Sequence, residues 1–216
     1  LLFVLTCGLS CGHLAAQTDT IAAPDTVRTV LMRDVFADMP QQIMPLVTKN
    51  NRLDCIDFIE NNMKARVRNA IDDYVELEAL SADFLRFRTS ERAYIEMKLL
   101  QEGDSLIIAL THTVEAGNIL DSHISFYTLG WRLLDSRPRF EPPSPEAFLP
   151  HEAVTDQQRQ ALMSLTDFHP VCLSFAHSEP VVECALQTSD LTPEQKQAFD
   201  YDFKTITLRW NGQRFE

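Results

Sequence analysis

The sequence predicts an α+β fold, a single antiparallel sheet with helices packed on one face. Three observations carry this: two early stretches with apolar residues at helical spacing, a chain of alternating segments of strand length, and Gly- or Asn-containing breaks between those segments. The second half repeats the order in shorter form, so the chain reads either as two similar α–β units sharing one core or as convergent hairpin chemistry.

The first helix is read from Val30, Leu31, Val35 and Phe36, which recur at three- and four-residue intervals after Thr29 as cap. Met39-Pro40 ends it. A second helix is expected from about Asn51 through Asn62, with Leu53, Cys55, Ile56, Ile59 and Met63 facing inward. Asp54, Asp57 and Glu60 then fall on its solvated side.

Strands follow. Residues 75–80, 84–88 and 93–99 alternate, and the last joins 106–112 across Glu102-Gly103-Asp104. His123 to Leu129 continues the pattern, and Gly130 before Trp131 marks a bulge or tight bend. Residues 136–150 hold five of the eleven prolines and form a connection that regular structure cannot run through. It separates residues 17–135 from a shorter unit, 151–216, which is near the size where a lone core becomes marginal and is expected to pack on the first. That unit reads as a helix from Thr155, strands 171–177 and 181–187, a helix from Thr192-Pro193-Glu194, and a final hairpin turning on Asn211-Gly212.

The 216 residues are 45% hydrophobic and carry a formal charge of −12. That describes a globular chain, and a nucleic-acid partner is excluded because no Lys/Arg run supplies a positive surface. Residues 1–16 hold no Lys, Arg, Asp or Glu and end in small residues, the pattern of a signal peptide whose own start lies upstream. They are too short to span a membrane, so the mature chain, from Gln17, is expected to be exported, to the periplasm or cell surface, with no span. A lipid anchor at Cys11 competes, but Gly8 stands where a lipobox wants Leu, Val or Ile.

Export leaves Cys55, Cys172 and Cys184. If Pro180 closes a three-residue loop His177-Ser178-Glu179, Cys172 and Cys184 lie directly opposite, close to disulfide reach. A one-residue change of register breaks that coincidence, leaving two buried thiols. Cys55 reads as a small buried hydrophobe.

In the segments Met39-Pro40, Leu46 to Phe58, Asn62 to Ala65 and Ile95 to Leu100 the chain resembles an uncharacterised domain family of exported Bacteroidales proteins. The block Thr48-Lys49-Asn50-Asn51-Arg52-Leu53-Asp54 is the most specific part. The resemblance brings no activity and no catalytic residues. At the level of architecture alone, two α-then-β repeats forming one curved sheet also resemble beta-lactamase inhibitor proteins.

No metal-ligand spacing, glycine-rich nucleotide loop or serine elbow is present, so no catalytic residue, metal or cofactor is expected. His112 shares the apolar parity of its strand, whereas His123 shares a face with Asp121, Ser125 and Tyr127. On one strand parity Arg86, Arg88, Tyr94, Glu96, Lys98, His123, Ser125, Tyr127, Thr205, Thr207 and Arg209 avoid the apolar side. They are expected to share one open face; its Tyr and Arg suit binding, and Arg86, Arg88, Tyr94, Glu96, His123, Tyr127 and Arg209 are the candidates. The reading that results is an exported non-catalytic module binding a protein or glycan of the envelope. The alternatives are an exported hydrolase built on His123 and Glu96, and a structural component of an envelope assembly.

Overall fold

The computed structural model describes residues 29–149, 155–156, 170–188 and 203–216. The leader-like residues 1–16 and almost all of the helices read from Thr155 and Thr192 lie outside them. α1 spans Met32–Ala37 and α2 spans Lys49–Glu60. α2 begins two residues before the expected start, because Thr48 and Asn51 form a reciprocal cap. Its inner face also differs from expectation: Cys55 and Ile56 are buried while Leu53 and Met63 are exposed, and the third buried residue is Arg52.

Seven strands follow in simple succession: β1 (Arg66–Arg68), β2 (Tyr74–Leu80), β3 (Phe84–Ser90), β4 (Ala93–Glu102), β5 (Ser105–Ala116), β6 (Ile119–Thr128) and β7 (Leu133–Leu134). They form an antiparallel sheet in that order. The β4–β5 and β5–β6 hairpins close on Gly103-Asp104 and Gly117-Asn118, with each glycine at positive φ in the first turn position, where a side chain is strained.

The expectation of a single sheet is corrected. β8 (Val171–Phe175), β9 (Val181–Leu186) and β10 (Ile206–Arg209) make a second, three-stranded sheet in the order β10-β9-β8. It has its own buried cluster, and that cluster includes residues of the large sheet. Leu85, Phe87, Ile95, Met97, Leu99, Ile108 and Leu110 pack with α1 and α2. The opposite parity, with Phe84, Leu100, Ile107, Ala109, Ile124 and Phe126, packs with Leu173, Phe175, Val182, Cys184, Trp210 and Phe215. The large sheet is therefore covered on both faces. Tyr94 to Leu100 are buried without interruption, as a two-sided central strand requires.

Two local readings change. The last turn falls one residue later than Asn211-Gly212: Asn211 N–H donates to the Arg214 carbonyl, and Gly212 takes φ +100°. The β8–β9 register also moves by one residue, because the loop is His177-Ser178-Glu179-Pro180 and Ala176 N–H donates to the Val181 carbonyl. Cys172 then opposes Ala185, and Cys184 opposes Leu173. The two thiols project to opposite sides of the hairpin and are free, as is Cys55.

Candidate functional site

The expected common face does not form. Cross-strand partners share a face, and Ile95 pairs His112, which pairs His123. His123, Ser125 and Tyr127 therefore stand on the helix side, on the opposite face to Tyr94, Glu96 and Lys98, two strands away, and to Arg86, three strands away. The error has a definite source. The apolar parity of β6, Ile124 and Phe126, faces the small sheet, whereas the apolar parity of β3, Leu85 and Phe87, faces the helices. In a sheet covered on both faces, apolar parity does not name a common side. A His123–Glu96 acid–base pair is excluded by the same geometry.

What lies under the small sheet is a buried polar layer that completes an edge strand. Ala176 N–H and the Pro170 carbonyl point to β9, so by alternation residues 171, 173, 175 and 177 turn their backbone groups to the free edge of β8. Side chains of the large sheet meet three of those groups. Phe175 N–H donates to Glu96 Oε2 at 2.8 Å, Leu173 N–H to Ser122 Oγ at 3.0 Å, and Lys98 Nζ donates to the His177 carbonyl at 2.8 Å. Glu96 and Lys98 are 1% and 0% exposed. Their charges are answered by Arg86 at 2.6 Å and Asp83 at 2.8 Å. Arg86 and Arg88 converge on Glu78, and the Arg86 guanidinium lies 3.9 Å from the Tyr94 ring centroid. Burial, then the nearby Cys172, pushes the Tyr94 phenol above its ordinary value. Arg209 sits apart on β10, ion-paired with Glu179.

The other face holds a cavity of about 500 Å³ between β4–β6 and the chain before α2. Its lining includes Ile43, Met44, Leu46 and Val47 from that chain, Ile95 and Leu110 from the sheet, and His112, His123, Ser125 and Tyr127. Thr89 and Ser90 reach it from the end of β3. Partial burial, then the neighbouring His123, holds the His112 imidazole below its ordinary value, although the residue keeps an exposed edge.

The segment lining this cavity has no regular structure of its own, and Arg52 holds it. The Arg52 guanidinium is 1% exposed and donates to the carbonyls of Met39 (2.6 Å), Val47 (2.8 Å) and Ala37 (3.4 Å). Gln41 Nε2 adds bonds to the Met44 and Pro45 carbonyls. Asn51, besides capping α2, donates to the Arg68 carbonyl. The block Thr48 to Asp54 thus starts α2 and ties the preceding loop to it.

The match to the model of a family described as protein of unknown function (DUF3256) runs over residues 26–215, and so takes in both sheets and the Arg52 loop. The chain belongs to this family. A solved structure, a domain of an uncharacterized protein from Porphyromonas gingivalis W83, is similar at 24% identity with a TM-score of 0.70, covering 85% of this chain and 96% of that one. At that identity the likeness speaks to the fold alone. No curated protein matches. Among the described residues no helix of this DUF3256 chain is long and apolar enough to cross a membrane.

Sequence reasoning missed the cavity and the role of Arg52. An Arg within an amphipathic helix reads as solvated, and only its position next to Cys55 and Ile56 on the helix wheel pointed inward. The thiols supply a direct check on the corrected register. Burial pushes Cys55 and Cys184 up to about 12, so neither forms thiolate near neutrality. Alkylation of the native protein should reach Cys172, the least buried of the three described cysteines, first. A Cys172–Cys184 peptide in a non-reducing digest would overturn the register.

Proposed function

We propose that this chain is a non-catalytic binding module of the cell envelope, whose ligand occupies the cavity beneath residues 43–47. The observation that carries the reading is a cavity of about 500 Å³, inside the range of roughly 300–1,000 Å³ typical of small-molecule sites. A mostly apolar lining with a small number of polar groups is the usual composition of such sites. Placement in the envelope rests on the leader-like character of residues 1–16. Capture of a protein or glycan on the Arg86–Tyr94 face has less support, because the small sheet lies over Tyr94, Glu96 and Lys98. The hydrolase reading lacks its acid–base pair.

The neutral dye N-phenyl-1-naphthylamine tests this reading. Its fluorescence should rise saturably on titration of the mature chain, and the rise should be lost in Ser125→Trp and Ser90→Trp, which place an indole in the cavity. Circular dichroism confirms that each variant folds. An unsaturable signal, or one that both fillers leave unchanged, would overturn the site and return the chain to the reading of an assembly component.

A further inference from the structure

Resting on that reading of the cavity, we propose that its ligand is a small amphipathic acid, whose apolar body lies along Ile95, Leu110 and the 43–47 wall and whose anionic end meets His112 and His123. The two imidazoles are direct cross-strand partners, which places their Cβ atoms roughly 4.5–5.5 Å apart, close enough for both to serve one oxyanion. Hydroxyls of Thr89, Ser90 and Ser125 line the same cavity and add neutral donors. Among the described residues that line the cavity, none is a Lys, Arg, Asp or Glu. In a chain of net charge −12, a pair of imidazoles beside an apolar wall is the local feature that favours an anion. The volume admits the whole of a small molecule, which sets a free acid ahead of a single side chain of a protein partner.

Other charges at this end are limited. Asp121 lies on the same face one row beyond His123, opposite Val114, and Glu91 and Arg92 form the β3–β4 turn. Asp38 and Lys49, at the far side of the loop, pair with each other at 2.8 Å. In the free protein partial burial, then the neighbouring His123, holds the His112 imidazole below its ordinary value. An anion seated between the rings favours the charged form of both. Binding therefore takes up protons, and affinity rises as pH falls.

The test uses octanesulfonate, which stays ionised throughout, and neutral 1-octanol, each titrated calorimetrically into the mature chain at pH 7.5 and 5.5. Octanesulfonate is expected to bind about tenfold more tightly at the lower pH, and octanol to show no such step. A His112→Gln/His123→Gln chain, checked for folding by its thermal transition at both pH values, should lose the step. Equal, pH-independent binding of the two probes would overturn the acidic ligand while leaving the cavity as a site for neutral molecules. Binding of octanol alone would do the same. Binding of neither would overturn this inference together with the reading it rests on.

Discussion

Glu96→Ala is expected to lower stability by about 3–5 kcal/mol, the loss usual when one member of a buried ion pair is removed. The magnitude follows from what the carboxylate holds. At 1% exposure it answers Arg86 at 2.6 Å and the Phe175 N–H at 2.8 Å, and accepts from Ser174 Oγ at 3.3 Å. Its removal leaves a guanidinium partly buried without its closest counter-charge and an edge-strand amide without an acceptor. The urea midpoint should fall sharply. Because the lost bonds join the two sheets, amide exchange in β8 and β9 should accelerate more than in β2 and β3. Lys98→Met should act in the same direction, freeing the His177 carbonyl and Asp83. A loss under about 1 kcal/mol for Glu96→Ala would mean that water replaces the carboxylate there, and that the small sheet is held by its apolar contacts instead.

The second large effect is expected from Arg52→Met, at about 2–4 kcal/mol, since the apolar replacement keeps the bulk of the stem but strands buried carbonyls that the guanidinium satisfies. Here stability and site should fail together. Residues 37–47 lose the bonds at Ala37, Met39 and Val47 that tie them to α2, so exchange of the Ile43 and Val47 amides should rise and dye binding in the cavity should weaken. Arg52→Lys should recover only part of either, because an ammonium is a compact charge without the planar fork that spans separate carbonyls. If Arg52→Met unfolds early yet binds the dye normally while folded, the loop is positioned by its apolar packing alone.

The local chemistry of this chain decided a great deal. Alternation from Val75 onward, the glycines of the β4–β5 and β5–β6 loops and the apolar spacing before Asn62 determined where helices and strands lie, because each depends on residues adjacent in the chain. The family resemblance was likewise read from short stretches, the block Thr48 to Asp54 foremost, and the cap formed by Thr48 and Asn51 lies within that block.

Tertiary structure alone decided which side each strand faces. Polar residues at Glu96 and Lys98 have the alternation of a solvated surface, but they are buried because they complete the edge of β8, whose sequence begins more than seventy residues later. His123 and Tyr127 show the same parity and face the other way, into the cavity. A strand's alternation records that its two sides differ and carries no label for which side meets which neighbour. That assignment came only when a second sheet covered one face of the first and the Arg52 loop covered part of the other.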